Sequence, residues 1–141
     1  FKRLLDEEGY PGSKPPWGTI TAINLKNGKI KWQKPFGEYE KLSNTGVPIT
    51  GTENYSGVTG TEAGILFATG TLDKKFRVLD SDNGKELWSY TLPFIGSSPP
   101  VTYQVDDEQY VLVNSTGSFS LKKGYPDLVD FGNKIIVFKL K

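Results

Sequence analysis

The chain has 141 residues, 36% of them hydrophobic, and a formal net charge of +1, which is typical of one globular domain. Near-neutral charge predicts no nucleic-acid partner, because phosphate binding requires a concentrated positive surface. The absence of Cys and His excludes disulfides, Cys/His zinc sites, a Cys nucleophile and a His general base.

After a Pro- and Gly-rich start, the first regular pattern covers residues 19–36, where two β-rich runs flank Asn27-Gly28. Such a dipeptide predicts a hairpin with a type I′ turn, in which both central residues have positive φ. Residues 37–60 are rich in Gly, Thr, Ser and Asn and predict a long loop. Long ordered loops in compact domains are often functional.

The rest of the chain continues the strand-and-turn pattern. Runs of β-branched and aromatic residues predict six further strands, at residues 65–69, 75–79, 86–92, 101–105, 109–114 and 135–140. A second Asn-Gly turn stands at Asn83-Gly84, and residues 117–132 form a second predicted loop. No long helix is predicted, so the expected fold class is all-β.

Two segments of the chain repeat one another. Residues 20–32 (ITAINLKNGKIKW) and 76–88 (FRVLDSDNGKELW) share a β-rich run, an Asn-Gly-Lys turn and a Trp four residues after the Gly. Four-stranded antiparallel units repeated around an axis describe a β-propeller. In such a fold Trp32 and Trp88 are predicted to pack between neighbouring sheets rather than to contact a ligand.

The strand pattern predicts a partial propeller of about two and a half blades. Residues 17–36 form the end of one blade, 56–93 a full blade and 98–141 most of the last blade. These blades are too few to close a ring, and the chain contains no Met. Both observations indicate that residues 1–141 are a single fragment of a longer protein. Open strand edges predict that this fragment self-associates. A β-sandwich of similar strand count is the competing architecture.

Four ordered stretches of the chain carry a more specific signature. They are residues 9–32 (GYPGSKPPWGTITAINLKNGKIKW), 52–80 (TENYSGVTGTEAGILFATGTLDKKFRVLD), 84–93 (GKELWSYTLP) and 99–113 (PPVTYQVDDEQYVLV). Together they resemble the dehydrogenases that use pyrroloquinoline quinone (PQQ), in particular the C-terminal part of the quinoprotein glucose dehydrogenase branch. The repeated Asn-Gly-Lys-x-x-Trp resembles the tryptophan-docking motif of these proteins.

This resemblance implies an eight-bladed propeller with PQQ near its axis, beside a metal ion that is usually Ca²⁺. The parent enzyme is expected to oxidise a glucose-like sugar, a polyol or an alcohol with electron transfer to a quinone acceptor. A periplasmic location is implied, free or attached to a membrane. No stretch of this chain matches the family's metal ligands or catalytic base, so neither is assigned, and the fragment alone is predicted to be inactive.

The resemblance also implies that the loop at residues 52–60 reaches the quinone. An Asn amide can donate to a quinone oxygen or carboxylate, and a Gly allows close backbone approach. The candidate cofactor-binding residues are Asn54, Tyr55, Ser56 and Gly57. Ser56 stands where the family usually has Gly, and residues 115–133 carry an insertion with Lys122, Lys123 and Tyr125 where the family has a short Gly-rich turn.

Two other functions stay open from the sequence. The chain could belong to a non-catalytic propeller that binds proteins, like the outer-membrane assembly lipoproteins, or to a β-domain with neither role. The Pro-Pro-Trp-Gly block at residues 15–18 and the Glu-Asn-Tyr of residues 53–55 favour the enzyme, because a scaffold needs neither. Trp17 itself is predicted to pack at the rim.

Overall fold

The computed structural model describes residues 3–139, which contain nine strands and two short helices. In chain order these elements are β1 (Thr19–Asn24), β2 (Lys29–Pro35), α1 (Glu40–Ser43), β3 (Val58–Gly60), β4 (Ile65–Ala68), β5 (Lys75–Asp80), β6 (Glu86–Thr91), β7 (Val101–Val105), β8 (Glu108–Ser115), α2 (Phe119–Gly124) and β9 (Lys134–Lys139). Leu140, which the sequence pattern includes in the last strand, lies outside the described residues.

The strands form three antiparallel sheets in which neighbours along the chain are also neighbours in space. The first sheet holds β1 and β2, the second holds β3 to β6 in order, and the third holds β7 to β9 in order. The all-β prediction is confirmed, because every pair of consecutive strands within a sheet is antiparallel and only two short helices interrupt the strands.

The predicted type I′ turn at Asn27-Gly28 is wrong. In both Asn-Gly turns only the Gly has positive φ, 69° at Gly28 and 66° at Gly84. The physical reason is a side-chain hydrogen bond made three residues before the Asn of each turn. Asn24 Oδ1 accepts from the amide of Lys26 at 2.9 Å, and Asp80 Oδ1 accepts from the amide of Asp82 at 2.6 Å. This Asx bond favours a longer turn that the Gly closes.

A two-residue hairpin with positive φ at both central residues does occur, but between β7 and β8. Asp106 and Asp107 have φ of 48° and 62°, and Val105 pairs directly with Glu108. Asp is among the few residues that adopt this conformation at modest cost, because its short polar side chain bonds locally. The type I′ geometry therefore falls on an Asp pair.

The second sheet lies between the other two, and apolar side chains fill both gaps. Against the first sheet the buried residues are Phe36, Ala68 and Leu79. Against the third sheet they are Phe67, Phe76, Leu92, Val111 and Val113. Burying side chains of this size stabilises the stack by about 1.5–3 kcal/mol each, which explains why the sheets pack face to face.

The two repeated Trp residues differ in their surroundings. Trp32 of β2 reaches across to the second sheet, where its Nε1 donates to the carbonyl of Ser81 at 3.0 Å. Trp88 of β6 is 45% exposed and packs edge-on against Phe76 of its own sheet and Phe138 of the third. Both indoles therefore contact a neighbouring sheet, and Trp32 is the more covered.

Both predicted loops contain a helix, and this is a correction to the sequence interpretation. The helices α1 and α2 lie within residues 37–60 and 117–132. The second is capped by Ser118, whose side chain accepts from the amide of Leu121, and Leu121 itself is fully buried. Short helices of this kind are stabilised by caps and tertiary packing, which a single-sequence pattern does not display.

Candidate functional site

All long connections of the described chain gather at one end of the three sheets. Antiparallel pairing places the segments that follow β4 and β6 at one end of their sheet. Contacts of Gly37 with Thr71, of Gly96 with Thr69 and of Gly117 with Ile95 bring the segments that follow β2 and β8 to that same end. These segments are residues 36–57, 69–74, 92–100 and 116–133. The opposite end carries only short turns. We refer to the two as the loop end and the turn end.

Close backbone contacts hold the loops of the first two sheets together. The amide of Trp17 donates to the carbonyl of Thr50 at 2.7 Å, and the amide of Thr52 donates to that of Phe36 at 2.9 Å. A Cβ on Gly18 would lie 1.9 Å from the carbonyl oxygen of Thr52. Glycine is therefore required at position 18 for this contact.

The predicted cofactor residues form a compact loop directly before β3. Asn54 Nδ2 donates to the carbonyl of Thr69 at 2.8 Å, and its Oδ1 accepts from the amide of Ser56 at 2.7 Å. Asn54 also forms an isolated β-bridge with Thr71. The Asn54 side chain thus fixes its own loop to the β4–β5 connection, and its second amide hydrogen has no partner among residues 3–139.

The three neighbours of Asn54 present different groups. Tyr55 is 54% exposed, whereas the Ser56 hydroxyl is buried and has no hydrogen-bond partner in the described part of the chain. A Cβ on Gly57 would lie 2.7 Å from Pro99 Cγ, so the loop packs against the start of the third sheet. The structure brings all four predicted residues to the loop end.

This loop fits the edge of a planar, acidic quinone such as PQQ. The free Asn54 amide hydrogen can bond a carbonyl or carboxylate oxygen, and the exposed Tyr55 ring can pack against a flat conjugated system. The side chains of residues 54–57 contain no carboxylate or amine that would act as a base at neutral pH. The loop therefore offers hydrogen-bonding and stacking groups to a ligand but no base of its own.

A cluster that the sequence interpretation missed lies beside this loop. Arg3 Nε and Nη2 donate to the two carboxylate oxygens of Glu53 at 2.9 and 2.6 Å. Tyr125 Oη donates to Glu53 Oε1 at 3.4 Å. The hydrogen bonds from Arg3 hold the pKa of Glu53 below its usual value despite partial burial. Because the three residues are far apart in the chain, no local pattern indicates this cluster.

An aromatic cluster supports the same end of the molecule. The Tyr10 ring stacks on Trp17 at a centroid distance of 6.2 Å, and Tyr39 meets both rings edge-on. Tyr10 and Tyr39 line a cavity of about 560 Å³ together with Tyr125. Burial raises the pKa of Tyr39, so its phenol stays protonated and does not serve as a base near neutral pH. Trp17 packs at the rim, as the sequence predicts.

A buried ion pair connects the loop end to the second sheet. Arg77 is 5% exposed and pairs with the carboxylate of Asp73, while its guanidinium carbon lies 5.3 Å from the ring centre of Phe36. Burial by itself raises the pKa of Asp73, but the hydrogen bond and charge of Arg77 outweigh it and lower that pKa. Lys75 extends the network by pairing with Glu38.

Residues 3–139 show no group of three or more acidic side chains arranged to hold a metal ion. Their two helices are also too short to cross a membrane. The candidate site on this chain is the loop at residues 53–57 with the side chains that contact it.

Comparison with known proteins identifies the family. A family profile described as "PQQ: Glucose/ethanol/alcohol dehydrogenase, beta-propeller domain" matches residues 1–111. A "Probable quinate dehydrogenase (quinone)" of Xanthomonas campestris pv. juglandis is 37% identical over 123 residues, which is 82% of this chain and 16% of the relative. The quinoprotein glucose dehydrogenase of Escherichia coli (strain K12) is 32% identical over 133 residues, 86% of this chain and 16% of the enzyme.

The fold is similar to that of a solved structure. A quinohemoprotein alcohol dehydrogenase of Pseudomonas putida HK5 superposes with a TM-score of 0.67 at 21% identity, covering 87% of this chain and 16% of that one. The chain thus spans about a sixth of the length of these proteins. The β-propeller prediction and the resemblance stated above are confirmed. The chain belongs to the family of PQQ-dependent glucose, ethanol and alcohol dehydrogenases.

Proposed function

We propose that the complete protein carrying this chain is a PQQ-dependent dehydrogenase that oxidises a sugar or polyol and transfers electrons to a quinone acceptor. Membership of the PQQ family supports the cofactor, and relatives named for glucose and quinate support a polyhydroxylated substrate. The observation that carries the proposal is the exposed Asn54-Tyr55 loop at the loop end. We extend the proposal to a periplasmic location, free or attached to a membrane, as the resemblance implies.

In this function the chain binds and orients the cofactor. Bound PQQ would supply the redox chemistry by accepting two electrons from the alcohol carbon. Asn54 would donate an amide hydrogen to an oxygen of the quinone, and the exposed Tyr55 ring would pack against the cofactor. The Ser56-Gly57 backbone allows close approach. We propose that Ca²⁺ binds beside PQQ through ligands outside residues 1–141, as is usual in the resembled family.

The isolated chain is proposed to have no turnover, because the expected base and metal ligands lie elsewhere in the parent. We also propose that it self-associates. β1 and β9 each pair with one neighbour only in the described sheets. Exposed apolar side chains on the first and third sheets support the same expectation, namely Ile23, Ile30, Val101, Tyr103, Ile135 and Val137. A well-behaved monomer at high concentration in sedimentation would contradict self-association.

The test uses the complete protein, purified without cofactor and titrated with PQQ in the presence of Ca²⁺. We expect saturable PQQ binding, a PQQ-dependent rise in melting temperature, and dye reduction with one or more of glucose, glycerol and quinate. A protein that neither binds PQQ nor reduces dye would overturn the proposal and favour the non-catalytic propeller.

The role of Asn54 is tested with a matched pair of variants. Asn54→Ala removes the amide at the loop end, and we expect about tenfold weaker PQQ binding. Asn27→Ala is the control, because Asn27 Oδ1 also accepts a local amide, that of Lys29 at 3.0 Å, but at the turn end. Equal PQQ affinity in the two variants would exclude Asn54 as a cofactor contact.

A further inference from the structure

Arg3, Glu53 and Tyr125 form what we call the Arg3 clamp, which joins three distant segments of the chain at the loop end. The Arg3 guanidinium makes a two-pronged contact with Glu53, and it also lies over the Tyr125 ring, 5.3 Å from the ring centre. Bidentate guanidinium–carboxylate pairs fix both distance and orientation, unlike a single ionic contact. The side chains of Arg3 and Glu53 are only 14% and 29% exposed, so water screens the pair weakly.

The N-terminal segment presents Arg3 from a folded turn. Asp6 closes this turn, because its carboxylate accepts from the amide of Tyr10 at 2.8 Å and its own amide donates to the Tyr10 carbonyl at 2.8 Å. Leu5 and Pro11 form an isolated bridge across it. The Tyr10 ring is buried in the aromatic cluster. Arg3 therefore extends from a segment that is itself anchored.

The segment around α2 presents Tyr125 from the opposite side. The amide of Tyr125 donates to the carbonyl of Leu121 at 2.8 Å, and both side chains are buried in the same cluster as Tyr10. Gly124 provides the space for the guanidinium, because a Cβ there would lie 2.0 Å from Arg3 Nη1. Residues 115–133 thus contain both the Tyr125 ring that Arg3 lies over and the space at Gly124 that its guanidinium occupies.

Glu53 links Arg3 and Tyr125 to the candidate site. It directly precedes Asn54, whose side chain bonds Thr69 and Ser56 from the other side of the loop. Arg3 Nη2 also lies 3.5 Å from the Tyr55 hydroxyl, at the limit of a hydrogen bond. The backbone on both sides of Asn54 is therefore restrained, by the clamp at Glu53 and by the Asx bond at Ser56.

We propose that Arg3, Glu53 and Tyr125 are positioning residues that preorganise the Asn54-Tyr55 loop for its cofactor. This inference rests on the proposed function, since it assigns a role toward the same loop. A preorganised loop loses little conformational entropy when the ligand binds, so disruption of the clamp weakens binding without removing any ligand contact. The insertion that contains Tyr125 then has a function at the cofactor site.

Three variants in the complete protein test the clamp. Glu53→Gln removes the carboxylate charge and keeps the side-chain shape. Gly124→Ala leaves every clamp residue in place but displaces the end of the flexible Arg3 side chain. For both we expect roughly tenfold weaker PQQ binding. Tyr125→Phe removes only a long hydrogen bond, and its expected effect is about twofold.

The matched control is Glu108→Gln, which removes a carboxylate paired with Lys139 at 2.6 Å near the turn end. We expect no change in PQQ binding for this variant. Unchanged binding in Glu53→Gln and Gly124→Ala, with normal binding in the parent, would overturn the clamp alone. Absence of binding in the parent protein would instead refute the proposed function.

A second readout needs neither cofactor nor activity. Hydrogen exchange of the Ser56 amide, which donates to Asn54 Oδ1, reports opening of the loop in the cofactor-free protein. We expect this exchange to be roughly tenfold faster in Glu53→Gln and Gly124→Ala and unchanged in Glu108→Gln. If exchange at Ser56 stays the same in all variants, the clamp does not position the loop.

Discussion

The indole of Trp32 covers the backbone of Gly84 in the neighbouring sheet. A Cβ placed on Gly84 would lie 2.7 Å from Cζ3 of that ring, and the ring nitrogen donates to Ser81 at 3.0 Å. The Trp of one repeat therefore packs on the turn of the next. Gly28, the equivalent glycine of the first repeat, has no atom of the described chain within 4 Å of such a Cβ.

This pair of glycines makes a matched test of the Trp32 contact. Both have positive φ, so Gly28→Ala should destabilise the chain by about 1 kcal/mol through backbone strain alone. Gly84→Ala adds a clash with a rigid ring, and we expect roughly 2–4 kcal/mol. Urea denaturation followed by Trp fluorescence measures both. Equal losses for the two variants would show that Trp32 contributes nothing at this turn.

The buried pair of Asp73 and Arg77 should be intolerant of single substitutions. Asp73→Asn removes the buried charge partner of Arg77 and leaves only the half-exposed Glu86, 3.0 Å from Arg77 Nε, so we expect a loss of about 2 kcal/mol in the free energy of unfolding. Asp82→Asn removes a fully exposed partner of Lys31, so denaturant midpoints should not change measurably. A small effect of Asp73→Asn would mean that Glu86 and solvent compensate the Arg77 charge without Asp73.

Stability should fall in acid because the pKa values of Glu38, Glu53 and Asp73 are lower in the folded chain than in the unfolded one. Hydrogen bonds from Lys75 and Arg3 cause the first two shifts, and for Asp73 those from Arg77 outweigh burial. These three carboxylates contribute their full stabilisation above the ordinary pKa values of 4.5 for Glu and 3.8 for Asp. The stabilisation is lost as the pH falls through their lowered pKa values in the folded chain. Melting temperatures between pH 7 and pH 3 measure this. Glu53→Gln should reduce the fall in melting temperature between pH 7 and pH 3. An unchanged fall would contradict the lowered pKa of Glu53.

Position 18 should not tolerate any residue larger than glycine. Gly18→Ala would push a methyl group into the Thr52 carbonyl, where neither backbone can move freely, and we expect a loss of about 3 kcal/mol. The control is Gly60→Ala, because the nearest atom to a Cβ there is Leu66 Cδ2 at 3.5 Å. That change should stay within about 1 kcal/mol of the parent chain. Thermal unfolding of the two variants compares them directly.

Much of the fold was predictable because its signals are local. Alternating β-branched and aromatic residues mark the strands, and the Asn-Gly-Lys-x-x-Trp repeat marks equivalent turns at Gly28 and Gly84. The side-chain bonds of Asn24 and Asp80 also follow from position, since an Asx bond reaches only two residues along the chain. The turn type did not follow, because that same bond selected a longer turn.

The candidate site was predictable only in part. The resemblance to the PQQ enzymes implied a role for residues 54–57. In the structure Asn54 uses most of its hydrogen-bonding capacity to hold its own loop. The partners of Glu53 come from residues 50 and 72 positions away in the chain. No spacing rule connects such residues, because only the packing of three segments brings them together.

The sequence by itself determined the strand pattern, the repeat, the all-β class and the family, because these depend on local propensity and on ordered motifs. Tertiary structure alone decided which charges are buried and which loops touch. From the sequence Asp73 and Arg77 look like ordinary surface charges, but Phe36 and the segment after it cover them in the fold. Arg3 looks like part of a terminal segment, but the fold pairs it with Glu53. The physical reason is that electrostatic and packing interactions act through space, whereas sequence patterns report only neighbours along the chain.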